Sequence, residues 1–381
     1  MTDKQTVKFG DICREVKLTT KDPIADGYER YIGLEHLDSG SLKIKRWGLI
    51  TEDKPSFTRV FKKGQILFGK RRPYLKKAAI AEFDGICSGD IIVLEKGKDT
   101  AVSKLILLVL QSDPFWSWAV KTSIGSLSPR TKFKEIANFG VPKIDLYKAD
   151  KISKAFNKSI HTLEISNLAL ESAKRLFNAS LLELLRPQKN WTRKELGEIA
   201  EVKGGRQRSP KHADGEHIVP YLRPANIKRG KLILSDVLEM NFTPEEQKIY
   251  TLKKGDTLLV EGGEAEDVGD AAYWNLNDQH CYQNTLIRVR AKDAHIKPRH
   301  LFWVLTYLHR SGGFLGLAAG TKIKHIGTGN TSKTKVSLPS PQELDKACLV
   351  LDTLENYIYQ LEISNEKVRD LSKSIVKKLY D

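Results

Sequence analysis

Leu163-Glu164-Ile165-Ser166-Asn167 recurs letter for letter as Leu361-Glu362-Ile363-Ser364-Asn365. Around the first copy, Phe156, Ile160, Leu163, Asn167, Leu170, Lys174, Phe177, Leu181 and Leu184 are spaced alternately by four and three. Ala347, Leu351, Leu354, Ile358, Leu361, Asn365, Val368, Ser372, Ile375 and Leu379 keep the same alternation around the second. Such a seam predicts coiled-coil packing rather than an ordinary surface helix. Pro142 and Pro187 bracket the first helix, and Pro341 precedes the second. A helix of about 36 residues would be about 54 Å long. A polar residue in a seam costs stability and fixes register. If the helices pair antiparallel about a pseudo-twofold axis, Asn167 and Asn365 meet near its centre; otherwise each points to water where the seam splays.

The repetition extends outward. Phe9-Gly-Asp-Ile-Cys-Arg-Glu-Val-Lys17 resembles Leu196-Gly-Glu-Ile-Ala-Glu-Val-Lys203, and Phe61-Lys-Lys-Gly-Gln-Ile-Leu67 resembles Leu252-Lys-Lys-Gly-Asp-Thr-Leu258. Tyr31-Ile-Gly-Leu and Tyr221-Leu-Arg-Pro are each followed by a glycine-led β-type run. The separation drifts only from about 187 to 198 residues, so the chain reads as two diverged copies of one unit. Each copy begins as a mixed segment with short β-type runs, such as Ile91–Leu94 and Thr285–Val289, and ends as a long helix. An antiparallel helix pair would hold two readers at a fixed distance and act as a ruler.

The 381 residues carry 63 Lys and Arg against 47 Asp and Glu, a net charge of +16. That excess predicts a polyanionic partner, nucleic acid before membrane. No apolar run approaches the length of a membrane span, and the first residues lack the apolar core of a signal peptide. Cys13, Cys87, Cys281 and Cys348 are far apart, with neither zinc nor disulfide spacing, which fits a reducing cytoplasm.

Positive charge is densest from Arg59 to Lys77, where Lys63, Lys70, Arg71, Arg72 and Lys76 mix with Phe68 and Tyr74 and no acid intervenes. Phosphate neutralisation supplies affinity, while arginine can grip a guanine edge. The plain alternative is a solvated edge that prevents strand pairing. Arg130 and Lys132 follow a glycine-led loop at Gly125, as Lys322, Lys324 and His325 follow Gly320. Arg206, Arg208 and Lys211, then Arg223, Lys228 and Arg229, complete the candidate DNA-binding set. The second copy has acidic Glu261-Gly-Gly-Glu-Ala-Glu-Asp267 where the first has Lys70-Arg-Arg72. This is either a solvated turn or a reader of cytosine N4, and it favours an asymmetric target.

Catalytic motifs are not found. GxxxxGK[ST], the Asp/Asn-Pro-Pro-Tyr/Phe of amino-methyltransferases, a dinucleotide fingerprint and HExxH are all missing from the letters. Glu15-Val-Lys17 and Glu201-Val-Lys203 match a Glu-x-Lys fragment of metal-dependent nucleases, but without an upstream Asp. A recognition subunit without catalytic residues or a metal site is expected. The alternatives are a sequence-independent architectural DNA binder and a methyltransferase or nuclease with a cryptic site.

This layout resembles the specificity (S) subunit of type I restriction–modification enzymes over essentially the whole chain. Phe9-Gly-Asp-Ile12, Leu196-Gly-Glu-Ile199, Tyr31-Ile-Gly-Leu-Glu-His36 and Lys63-Gly-Gln-Ile-Leu-Phe-Gly-Lys-Arg-Arg72 carry the likeness. So do the glycine-led loops at 125 and 320 and Val336-Ser-Leu-Pro-Ser-Pro-Gln-Glu-Leu344. The first junction, Val141-Pro-Lys-Ile-Asp-Leu-Tyr147, departs from the family's Pro-x-Pro form. The resemblance implies an α+β protein with two pseudo-symmetric mixed α/β target-recognition domains, residues 1–146 and 187–341. Two long spacer helices, residues 147–186 and 342–381, would separate them as an antiparallel coiled coil. It further implies a noncatalytic prokaryotic protein that reads a bipartite site on double-stranded DNA. Two methyltransferase (M) subunits and restriction (R) subunits would be its partners, and S-adenosylmethionine, ATP and Mg would bind to them rather than to this chain.

Overall fold

The computed structural model describes residues 6–97, 103–209, 213–292, 295–318 and 324–380. It divides into two compact units, residues 1–168 with 362–381, and residues 169–361. Each unit takes one globule and part of both long helices, a different grouping from a globule–helix–globule–helix division along the chain.

In the first unit β1 (Cys13–Val16), β2 (Ile66–Gly69), β3 (Ala78–Ile80) and β4 (Ile91–Lys96) form an antiparallel sheet in the order β1-β4-β2-β3. β2 and the start of β4 are continuously apolar because both faces are covered. Ile66, Phe68, Ile92 and Leu94 enter one core, while Leu67, Ile91 and Val93 enter another. Alternate residues of a strand point to opposite faces, so two cores require an unbroken apolar run. Burying each such side chain contributes about 1.5–3 kcal/mol. A second sheet pairs Arg30–Ile32 parallel to Gly85–Cys87.

The second unit repeats this plan. β5 (Ala200–Gly204), β6 (Thr257–Val260), β7 (Ala271–Tyr273) and β8 (Leu286–Ala291) are ordered β5-β8-β6-β7. Leu259, Ile287 and Val289 face one core, and Leu258, Val260 and Leu286 the other. Ile218–Leu222 runs parallel to Cys281–Tyr282, as Arg30–Ile32 does to Gly85–Cys87. The duplication in the letters is a duplication of strand order.

The long helices are α1 (Leu146–Leu184) and α2 (Pro341–Lys377). Within the first unit, Ser372 Oγ donates to Ser159 Oγ at 2.9 Å, and Asn365 Nδ2 donates to Asn167 Oδ1 at 3.0 Å. Rising numbers on α1 meet falling numbers on α2, so the pairing is antiparallel. Phe156 enters the first core together with Ile375, Val376 and Leu379. Within the second unit, Leu170 and Ala173 pack with Ile358, while Leu181 and Leu185 join a core containing Leu344, Ala347, Cys348 and Leu351. The seam expected at Leu184 has moved: Leu184 is exposed and Leu185 is buried. A straight helix has 3.6 residues per turn, so its buried stripe drifts off a strict heptad by the last turn.

All four cysteines are free and buried, and burial pushes the Cys13, Cys87 and Cys348 thiols up to about 12. Among the described residues no helix is long and apolar enough to cross a membrane.

Candidate nucleic-acid interface

The loop after β2 and the glycine-led loop at Gly125 are stitched together, although 52 residues of sequence stand between Arg72 and Gly125. Arg72 N–H donates to Pro129 O at 2.7 Å and Thr131 N–H to Lys70 O at 3.0 Å, and Arg71 bridges Arg130. Two sequence-distant cationic segments thereby become one surface.

Asp90, just before β4, organises that surface. Its carboxylate accepts from Arg130 Nε at 2.8 Å and stands 3.5 Å from Arg71 Nη1. Arg71 Nη2 also donates to Ser128 Oγ at 3.3 Å. Burial works against the Asp90 charge, but the Arg130 bond, with Arg71 and Lys70 nearby, outweighs it and holds the carboxyl below its usual range. Partial burial, with Arg59 beside it, lowers the Lys70 ammonium below the ordinary lysine range. Arg71 and Arg130 are thus oriented rather than free. Arg72, Tyr74 and Lys132 are exposed, Arg72 on a left-handed backbone with φ +52°. Lys76 pairs with Asp113 at 2.5 Å, and Lys63 is an exposed turn residue whose N–H caps Asp84.

The second unit uses the same stitch with different chemistry. Gly262 and Gly263, inside the acidic segment, pair with His325 and Lys324. Glu261 lies 3.6 Å from His325 Nδ1, while Glu264, Glu266 and Asp267 face solvent. Lys228 and Arg229 are exposed at the tip of the hairpin Ile227–Leu232, where Arg229 has φ +52° and Gly230 φ +79°. The backbone N–H groups of Arg229 and Gly230 donate to the buried Asp270 carboxylate. Arg208 is exposed, and Arg223 is tied to Asp236 at 2.5 Å. Lys211 and Lys322 lie outside the described residues.

Arg206 does not belong on this surface. It is 8% exposed, with Nε 2.6 Å from Glu246, Nη1 on Asn241 O and its guanidinium over the Phe242 ring. A buried guanidinium is retained only where it is paired and hydrogen-bonded, and Arg206 is both. The Glu-x-Lys pairs are also committed to neighbours. Glu15 lies between Lys17 and Arg59 at 3.8 and 4.0 Å, and Glu201 binds Arg288 at 2.5 Å. Among the described residues no group of three His, Cys, Asp or Glu side chains could hold a metal.

Asp90 and Asp270 are the residues that the sequence reading passed over. Asp90 is an isolated carboxylate in ordinary strand-end sequence, and Asp270 stands three residues past the end of the acidic segment at Asp267. The only usable sign was their place beside apolar β-runs within reach of a cationic loop.

Residues 188–371 match the family model described as the type I restriction modification DNA specificity domain. The chain is similar to type I restriction–modification specificity subunits. Over 133 residues it is 28% identical to the Escherichia coli type I restriction enzyme EcoDI specificity subunit. That match spans 35% of this chain and 29% of the E. coli subunit. Two solved structures share the fold. The type I restriction–modification S subunit from M. genitalium gives a TM-score of 0.63 at 14% identity, over 98% of this chain and 95% of that one. A chain solved to explain complex assembly and conformational transition of a type I system gives 0.60 at 18% identity, over 99% and 97%. The family model covers the second globule and most of α2. The first globule joins the likeness through its identical strand order.

Proposed function

We propose that this chain is the DNA sequence-recognition subunit of a type I restriction–modification complex, reading a bipartite asymmetric site. The observation that carries this reading is one stitched loop pair built twice on the same sheet order with opposite chemistry. Cations from Lys70 to Arg72 meet Arg130 in the first copy, and Glu261 to Gly263 meet Lys324 and His325 in the second. Two copies of one reader whose contact groups differ suit two different half-sites. Guanine edges fit arginine and cytosine N4 fits a carboxylate.

On this reading α1 and α2 set the spacing between the half-sites. Two methyltransferase subunits dock on the chain and restriction subunits join them, in the cytoplasm. The chemistry, with S-adenosylmethionine, ATP and Mg, belongs to those partners, and this chain is noncatalytic.

Selection of the full chain, with its methyltransferase partners, from a randomised duplex library tests the reading. Two short motifs separated by a fixed gap are expected. Enrichment of composition or bendability alone would instead identify an architectural binder. Methyl transfer or Mg-dependent cleavage by the chain without partners would make it an enzyme.

A further inference from the structure

The loop between Ile124 and Arg130 presents its largest apolar side chains to water. Leu127 is 89% exposed and Ile124 73%. A single exposed leucine is ordinary on a protein surface. This one sits on a fixed support. Ile124 N–H donates to Arg130 O at 3.0 Å and Arg130 N–H to Ile124 O at 2.9 Å, closing the loop at its base. Gly125 makes the turn at φ +116°, a backbone region that side chains disfavour. Ser128 is held by Arg71, and Pro129 accepts from Arg72 N–H, so both flanks of the tip are anchored.

The surroundings of the tip decide what it meets. Arg72 and Arg130 are bonded to its flanks, Tyr74 and Lys132 are exposed two residues further along each strand of chain, and Asp90, the nearby carboxylate, is already engaged by Arg71 and Arg130. An apolar tip in a cationic collar complements a surface that is anionic outside and apolar within. Stacked base pairs between phosphate rails have that character. Proteins that insert leucine or isoleucine between base steps unstack them partially and kink the duplex, repaid by contacts to phosphate around the insertion.

We propose that Leu127, with Ile124 behind it, is a wedge that enters the base stack of the half-site read by the first unit. Arg72, Arg130 and Lys132 grip the flanking phosphates. This rests on the DNA-recognition reading above and adds a step to it: the duplex is deformed at one base step, and part of the specificity is the ease of that deformation.

The test uses the full chain and the duplex that it selects, with 2-aminopurine moved step by step along the half-site and its fluorescence read on binding. The unsubstituted chain is expected to raise fluorescence at one step. Leu127→Phe keeps that rise. Leu127→Ser abolishes it and weakens binding roughly tenfold, with an unchanged thermal melt. A bound duplex with no rise at any step, or a rise that survives Leu127→Ser, overturns the wedge while leaving recognition intact. So does a Leu127→Ser chain that binds DNA normally but loses a methyltransferase subunit, which would make the tip a protein contact. Failure of the unsubstituted chain to select any duplex removes the recognition reading itself, and the wedge with it.

Discussion

Arg72 and Arg206 both sit in short cationic loops, yet their surroundings are opposite. Arg72 is exposed with its backbone anchored to Pro129, whereas Arg206 is enclosed by Glu246, Asn241 and Phe242. Arg72→Ala is expected to leave stability within about 0.5 kcal/mol, because no buried partner is orphaned. It should lower DNA affinity and reduce the slope of log affinity against log salt by about one, read by titration at several salt concentrations. Arg206→Ala should cost about 3–5 kcal/mol in urea unfolding by stranding Glu246 in a part-buried site. Asp90 gives a pH signature. Its carboxyl is held below the usual range when folded, so its stabilisation is present above the unfolded value and is lost as pH falls through the folded one. The urea midpoints of the unsubstituted chain and Asp90→Asn should therefore differ at pH 6 and begin to draw together only as pH falls below about 4, meeting once it is below the folded value. A difference that grows on acidification would remove Asp90 as the organiser of Arg71 and Arg130.

At the scale of the helices, the asparagine pair is not an efficient stabiliser. Asn365 is 1% exposed, and its Oδ1 has no donor although its Nδ2 reaches Asn167. One hydrogen bond is made and one buried acceptor is left unpaired, a deficit of about 1–3 kcal/mol against an apolar pair. Asn167→Leu alone should destabilise the chain by leaving Asn365 without its partner. Asn167→Leu with Asn365→Leu should be more stable than the natural pair but no longer restricted to one register, detectable as altered assembly state in sedimentation. The seam itself was legible because helical period is local: Phe156, Leu170, Leu351 and Ile358 could be picked from spacing alone, and they are buried. Leu184 was misread because the drift of a straight helix accumulates along its length. Arg206 was misread for a different reason. Its partner Glu246 is forty positions away, and no local pattern says that a loop cation will find a carboxylate. Asp90 was invisible on the same ground, since its role exists only after β4 brings it beside Arg130.

For the molecule as a whole, the repeat carries more than any residue, because it predicts how two readouts vary together. The division into units crosses both helices, between Leu168 and Ala169 and between Leu361 and Glu362, one residue past Asn167 and four residues before Asn365. A seven-residue insertion at each crossing preserves the heptad phase, so the seams on either side keep their faces. Seven residues of helix add about 10.5 Å. Duplex DNA rises about 3.4 Å per base pair, so a spacer parallel to the duplex would shift the gap by about three base pairs. Both half-motifs should be unchanged, because neither globule is altered. Library selection with the doubly extended chain reads gap and motifs in one measurement. A longer gap with the same two motifs is expected. An unchanged gap would mean that the helices do not set the spacing. Loss of one motif would mean that reading and spacing are not separable, and that the two globules are not independent copies of one reader.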